Sequence, residues 1–175
     1  MTQATSTYVQ RAEQDPLTGL LNRRAFTESV TDRLAHHAAA HTHLAVMMVD
    51  LDDFKRINDT SGHAAGDCLL QVVAGLLRDH APADTLVCRA GGEEFLVALT
   101  CTIGDVSPLA AQCCEAIAKH PSGITASIGT ASAELHRLCT SDGGHLVDEL
   151  VVLADNAMYA AKRRGGNQAL QSAGS

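Results

Sequence analysis

Thr85-Leu86-Val87-Cys88-Arg89-Ala90-Gly91-Gly92-Glu93-Glu94-Phe95-Leu96-Val97-Ala98-Leu99 places two glycines between two apolar runs. The pattern predicts a β-hairpin turning at the glycine pair, because a two-residue primed turn needs positive φ and glycine reaches it without steric cost. Two carboxylates, Glu93 and Glu94, follow the glycines directly. Paired acids at a hairpin tip repel each other and add little stability. They suit a divalent cation held over a phosphate.

Upstream of the hairpin, Leu44-Ala45-Val46-Met47-Met48-Val49 is a continuous apolar run, as expected of a strand buried on both faces, and it ends in Asp50-Leu51-Asp52-Asp53. Residues 54–63 read as a polar segment. Leu69, Val72, Val73, Leu76 and Leu77 then recur at helical spacing over about 65–78. Downstream, Asp105, Ser107 and Pro108 open a helix that reaches about Lys119, and residues 123–129 alternate as a strand. Residues 134–144 read as a loop. Val147, Leu150, Val151, Ala154, Ala157, Met158 and Ala161 mark a last helix, with a short strand from Asn167. Near the start, Asp15-Pro16-Leu17-Thr18-Gly19-Leu20 reads as a turn, and Asn22 caps a helix to about His37 with Phe26, Val30 and Leu34 on one face. The order strand–helix–hairpin–helix–strand is the ferredoxin-like βαββαβ pattern. It predicts an α/β (α+β) domain, a central, mostly antiparallel sheet flanked by helices. The first strand then neighbours the hairpin, so Asp50 and Glu93, distant in sequence, should converge.

A hydrophobic fraction of 46% over 175 residues is enough for one real core. The net charge of -7 argues against a nucleic-acid partner, which would want a basic face. It leaves open a nucleotide whose phosphates are met by metal and backbone N–H groups. No apolar run approaches a membrane span, and Met1-Thr2-Gln3-Ala4-Thr5-Ser6 lacks the basic and apolar regions of a signal peptide, so a cytoplasmic location is expected. Cys68, Cys88, Cys101, Cys113, Cys114 and Cys139 show no zinc-like spacing and read as reduced thiols. His36, His37, His41 and His43 cluster, with His37 and His41 four apart, but they read as solvated surface rather than a metal site. Residues 1–14 read as a tag remnant or the stump of a connecting helix, residues 15–171 as one domain and 172–175 as a tail.

Carboxylates on adjacent strands stay close when a cation offsets their repulsion or when one is protonated. Oxygen ligands at a half-open site suit Mg²⁺, which takes a few carboxylates plus substrate phosphates. A metal pair held this way activates an attacking hydroxyl and stabilises a leaving pyrophosphate. That is phosphoryl-transfer chemistry, in which positioning and charge neutralisation dominate. Asp50 and Glu93, both at the ends of apolar strands expected to be adjacent, are the candidates. Asp52, Asp53 and Glu94 read equally as exposed loop acids or as supporting groups. By spacing alone Asn58 reads as a turn cap as well as a ligand group, Asp67 as a helix N-terminal acid, and Lys162 as a cation favoured at a helix C-terminus.

At these residues the chain resembles the GGDEF domain of diguanylate cyclases, in a GGEEF form. Asp15-Pro16-Leu17-Thr18-Gly19-Leu20 with Asn22-Arg23 resembles the family's N-terminal wide turn. Val49-Asp50-Leu51-Asp52-Asp53-Phe54-Lys55-Arg56-Ile57-Asn58-Asp59 resembles its metal strand and nucleotide segment, followed by Gly62-His63 and Gly66-Asp67. Arg89-Ala90-Gly91-Gly92-Glu93-Glu94-Phe95 is the signature. Ser127-Ile128-Gly129 and Ala154-Asp155-Asn156-Ala157-Met158-Tyr159-Ala160-Ala161-Lys162 complete the match, which spans about Asp15 to Asn167.

The resemblance implies a nucleotidyltransferase that condenses two GTP into cyclic di-GMP, with two Mg²⁺ or Mn²⁺ per GTP half-site. It implies Asp50, Glu93 and the Leu51 carbonyl as metal ligands, with Glu93 also the base for the attacking 3′-hydroxyl. Asn58 and Asp67 would read guanine, since a carboxylate accepts from its N1–H and N2–H₂ edge. The backbone of Asp53, Phe54 and Lys55 and the Lys162 side chain would hold phosphate. Asp52, Arg89 and Glu94 would support them. A homodimer would be needed for catalysis, and an N-terminal sensor domain would control it. Two stretches depart from the family pattern. Pro82-Ala83-Asp84-Thr85 stands where many members carry the Arg-x-x-Asp product site, so no inhibitory site is expected. Gly166 stands where some members carry an arginine after the lysine, so that Arg163 or Arg164 would have to substitute or phosphate holding would weaken. The second reading is a non-catalytic module that binds GTP or a cyclic dinucleotide.

Overall fold

The computed structural model describes residues 13–35, 42–102, 105–136 and 143–172. Residues 1–12, His36, His37, His41, Cys139 and the tail from 173 lie outside the described residues, as does most of the expected 134–144 loop. Six strands are described: β1 Leu21–Asn22, β2 His43–Asp52, β3 Leu86–Gly91, β4 Glu94–Cys101, β5 Thr125–Glu134 and β6 Gln168–Gln171. The five helices are α1 Arg23–Ala35, α2 Phe54–Ser61, α3 His63–His80, α4 Ser107–Ala118 and α5 Gly143–Arg163. They form one sheet of order β1-β3-β4-β2-β5-β6. The inner pairings β3–β4, β4–β2 and β2–β5 are antiparallel, and the edge pairings β1–β3 and β5–β6 are parallel. The ferredoxin-like βαββαβ expectation therefore holds, with a short strand added at each edge.

Side-chain alternation along β2 explains why its run is apolar throughout. Ala45, Met47, Val49 and Leu51 pack with α3 and α4 residues such as Leu70, Val73 and Ile117. Leu44, Val46 and Met48 face the other way, onto Phe26, Val30 and Leu34 of α1 and Leu150, Val151 and Ala154 of α5. A strand covered on both faces has no solvated side to mark with polar residues. Each large side chain buried this way contributes about 1.5–3 kcal/mol. The same parity places Asp50 and Asp52 on the α5 face of the sheet, and Glu94 beside Leu96 and Ala98 on that face of β4.

Close packing fixes α5 against the sheet. A Cβ at Gly129 would overlap backbone atoms of Ala154 and Met158, so the helix rests directly on β5. Ala154 and Ala161, both fully buried, continue this small-residue seam.

Three local expectations are corrected. The hairpin turn is Gly92-Glu93, not the glycine pair, because Gly91 is the last residue of β3 and pairs with Glu94. Only Gly92 needs positive φ, at 29°, and a register shift between Arg89 and Gly91 absorbs the offset. The stretch read only as a polar segment forms a helix, α2, over Phe54–Ser61. Phe54 is buried and Ile57 packs on the core, two anchors one turn apart that a short polar stretch conceals. The strand read over 123–129 runs to Glu134, paired along its whole length with β2. Among the described residues, no helix is long and apolar enough to cross a membrane. Cys68, Cys88, Cys101, Cys113 and Cys114 form no disulfide, and burial pushes the Cys88 and Cys113 thiols up to about 12 and about 11.

Candidate active site at the end of the central strands

The sheet brings the acidic end of β2 against the hairpin turn. Asp50 pairs with Glu94 in the β2–β4 register, and the Leu51 N–H donates to the Glu93 carbonyl at 3.3 Å. Asp50 and Glu93 thus meet as the topology requires, with Leu51 between Asp50 and Asp52 at the same strand end. Asp50 is 7% exposed. Its Oδ1 lies 2.6 Å from Lys162 Nζ, a close ion pair. Burial pushes the Asp50 carboxyl up, Lys162 pulls it down, and the nearby charges of Glu93 and Asp52 push it up again, leaving it raised. The Glu94 carboxyl is also raised, first by burial and then by Asp50, Asp155 and Glu93. For Lys162, burial lowers the ammonium, but contact with Asp50 and the fields of Asp52 and Glu93 outweigh it and raise it. These acids are under mutual repulsion, and one ammonium is the counter-charge at their centre.

Asp52 has a different environment. Its Oδ2 accepts from Thr125 Oγ1 and from the Asn167 N–H, each at 2.8 Å, and its Oδ1 accepts from Ser127 Oγ at 2.7 Å. Two donors come from β5 and one from the turn after α5, so Asp52 ties the end of β2 to the segment that follows Lys162. Gly166, at φ 72°, lies in that turn, and a Cβ there would stand 2.8 Å from Asp52 Oδ2. The position is occupied by a turn closed onto Asp52, which accounts for a residue without a side chain.

α2 and α3 supply the remaining candidates. Asp53 has φ 52° and starts the turn into α2, so Phe54 and Lys55 occupy its first two positions, where a helix presents unpaired N–H groups to anions. Asn58 is half-buried, and a Cβ at Gly66 would overlap its Oδ1, so α2 and α3 cross at close range there. Asp67 is exposed and is the fifth residue of α3, beyond the first turn, which weakens its reading as a helix-dipole acid. Lys162 is in the last turn of α5, so the dipole reading holds there alongside its ion pair. Arg163 and Arg164 line a separate recess with Asn156, Tyr159 and Ala160.

Arg89 braces the signature turn. Its Nε and Nη2 donate to the Gly92 carbonyl at 2.9 and 2.8 Å, and Nη1 donates to Asp15 Oδ1 at 3.2 Å. Asp15 also accepts from the Thr18 N–H and Oγ1 at 2.8 and 2.7 Å. Burial works to raise the Asp15 carboxyl, but the Thr18 and Arg89 contacts hold it below the usual range. The N-terminal turn is thereby tied to the hairpin across 74 residues. Sequence reasoning missed the roles of Thr125, Ser127, Asp155 and Asp15. A period-two reading of 125–129 would have placed Thr125, Ser127 and Gly129 on one face.

The residues fit a divalent metal without forming a cage. Asp50 Oδ1 is buried, and among the described residues the Lys162 ammonium is its counter-charge. Among the described residues, no group of three or more His, Cys, Asp or Glu side chains could hold an ion unaided. Two carboxylates and a carbonyl, completed by substrate phosphates, match the preference of Mg²⁺.

Comparison with known proteins gives a common result. The chain is 37% identical over 164 residues to diguanylate cyclase DgcP of Pseudomonas aeruginosa, covering 89% of this chain and 23% of that protein. It is 38% identical over 164 residues to diguanylate cyclase DgcM of Escherichia coli, covering 91% of this chain and 38% of that one. The chain therefore spans well under half the length of these relatives. Among solved structures, the active GGEEF domain of a diguanylate cyclase from Vibrio cholerae superposes with TM-score 0.76 at 28% identity, covering 89% of this chain and 99% of that one. The GGDEF domain of DgcB from Caulobacter crescentus, in complex with c-di-GMP, gives 0.72 at 29%, covering 92% and 96%. The family described as diguanylate cyclase, GGDEF domain, matches residues 12–168, and with the six-stranded sheet and its carboxylate end in place, this chain belongs to the GGDEF family.

Proposed function

We propose that this domain is the catalytic unit of a diguanylate cyclase, a cytoplasmic enzyme that joins two GTP into cyclic di-GMP. The observation that carries the reading is buried Asp50, paired to Lys162 and set against the turn that bears Glu93. The reaction forms a bond from the 3′-hydroxyl oxygen of one GTP to the α-phosphorus of the other and releases pyrophosphate, twice in turn. Asp50, Glu93 and the Leu51 carbonyl would hold Mg²⁺ or Mn²⁺, two per half-site. When bound, the metal supplies charge neutralisation on the triphosphate and acidification of the attacking hydroxyl. Glu93 accepts the hydroxyl proton. Lys162 would be available to hold phosphate if the Asp50 carboxylate were engaged by a metal. The N-terminus of α2, at Asp53, Phe54 and Lys55, receives phosphate oxygens, and Asn58 with Asp67 reads the guanine edge. Asp52 orients Asp50 and Leu51, Arg89 orients Glu93, and Glu94 adds to the negative field. One domain holds one GTP, so two domains face each other about a two-fold axis. Residues 15–171 make up the unit, under the control of a sensor domain in a longer chain.

GTP with Mg²⁺ should yield cyclic di-GMP and pyrophosphate. Glu93→Ala removes a ligand and the base together, a loss of several kcal/mol or about 10³-fold in rate. Wild-type protein that binds GTP but releases no pyrophosphate at high concentration would make it a non-catalytic binding module. Because Pro82 and Thr85 replace a charged pair, added cyclic di-GMP should leave the initial rate unchanged at low micromolar levels; strong product inhibition would contradict this.

A further inference from the structure

The chain carries a net charge of -7, yet one recess of about 520 Å³ is lined by three arginines. Arg23, Arg24 and Arg89 meet there with Asp15, Asn22 and the Gly91-Gly92 backbone. Among the described residues the carboxylate in its wall is Asp15, already engaged by the Thr18 N–H and hydroxyl and by Arg89. Arg24 also meets Glu28 Oε1 at 3.7 Å along α1, so three positive charges against two carboxylates leave a local excess of one. The position is set by two independent elements. Asn22 caps α1 by accepting from the Ala25 N–H at 3.0 Å, which points the positive end of the helix into the same corner as Arg23 and Arg24. The parallel pairing of Asn22 with Arg89 brings that corner to the hairpin.

We propose that this recess is an anion site for a phosphate group, distinct from the carboxylate site and separated from it by the signature turn. Planar guanidinium groups recognise phosphate in bidentate fashion, and three around one concavity fit a phosphate dianion better than a carboxylate. Arg89 donates both to the wall of the recess and to the Gly92 carbonyl, so an anion there bears on the turn that carries Glu93. The phosphate comes either from free pyrophosphate or from the nucleotide of a second copy approaching the hairpin. The second source rests on the dimeric cyclase reading; the first does not.

The test uses inorganic pyrophosphate without divalent metal, titrated by calorimetry into Lys162→Ala protein, which lacks the cation of the carboxylate site. Adding Arg23→Ala and Arg24→Ala together should weaken binding at least about tenfold, and Arg23→Lys with Arg24→Lys should restore part of it. Unchanged thermal melting of the alanine variant shows that the fold is intact. Pyrophosphate binding that is equal with and without the two arginines, or absent in the Lys162→Ala protein, overturns the free-anion source. For the second source, GTP binding with Mg²⁺ should weaken in Arg23→Ala/Arg24→Ala protein only at concentrations where two copies associate. Failure in both arms overturns the site, whether or not the protein is a cyclase.

Discussion

Asp50 is a carboxyl group whose burial opposes its charge. Its folded-state pKa and that of Glu94 lie above the ordinary 3.8 and 4.5. The folded protein therefore retains protons that the unfolded chain has already lost. Stability falls as pH rises from those ordinary values through the raised ones. Asp50→Asn removes the buried charge, so in metal-free buffer at neutral pH its Tm should equal or exceed that of wild type, by about 2–4 °C per kcal/mol relieved. The gain should vanish when melts are repeated at a pH below the ordinary carboxylate value, while cyclase activity is lost throughout. A clear drop in Tm at neutral pH would show that the Lys162 ion pair outweighs burial. Asp52 differs in its contacts, a carboxylate that accepts from three donors. Asp52→Ala should cost about 10–100-fold in apparent metal affinity, as loss of a group that orients ligands does, measured as the Mg²⁺ concentration for half-maximal rate.

At the scale of elements, the contact between α5 and β5 decides where Lys162 points. Gly129 lets the Ala154 and Met158 backbone sit on the strand, and the helix then runs on to place Lys162 over Asp50. Gly129→Ala puts a methyl into backbone that has nowhere nearby to yield. It should cost about 1–3 kcal/mol and tilt α5, lowering kcat more than GTP affinity, since the residues proposed to read guanine stand on α2 and α3. Denaturant melts and steady-state kinetics check the two parts. The hairpin shows how sequence misleads at this scale. Both Gly91-Gly92 and Gly92-Glu93 are acceptable two-residue turns by composition. The pairing of Gly91 with Glu94 and the Arg89 bond to the Gly92 carbonyl select the second. That choice moves Glu93 from the start of a strand onto the turn itself, beside the end of β2.

For the whole molecule, the sheet is a divider. One face carries α3 and α4, with α2 at its edge and the Asn58 and Asp67 candidates; the other carries α1 and α5, with Asp50, Asp52 and Lys162. The acidic strand ends lie where the two layers meet. The described residues form one copy of this arrangement, and the proposed reaction, which joins two nucleotides, would need two. Turnover per protein molecule should therefore rise with protein concentration and level off once dimers saturate. A specific rate independent of concentration over the range where the protein is shown to be monomeric would exclude the two-fold mechanism.

What the sequence by itself determined was the order of elements and the identity of the acidic ends. A twofold-covered strand must be apolar along its whole length, a hairpin must turn at residues tolerant of positive φ, and each is a local demand written locally, at Leu44–Val49 and at Gly92. α2 escaped because two anchors, Phe54 and Ile57, are too few to show a period. The interplay of groups brought together from distant positions was decided only by the tertiary structure. Asp52 meets Thr125, Ser127 and Asn167 across 73 to 115 residues, Asp15 meets Arg89 across 74, and Lys162 meets Asp50. Such contacts follow from strand register and the approach of α5 to β5, and no single stretch of the chain contains them.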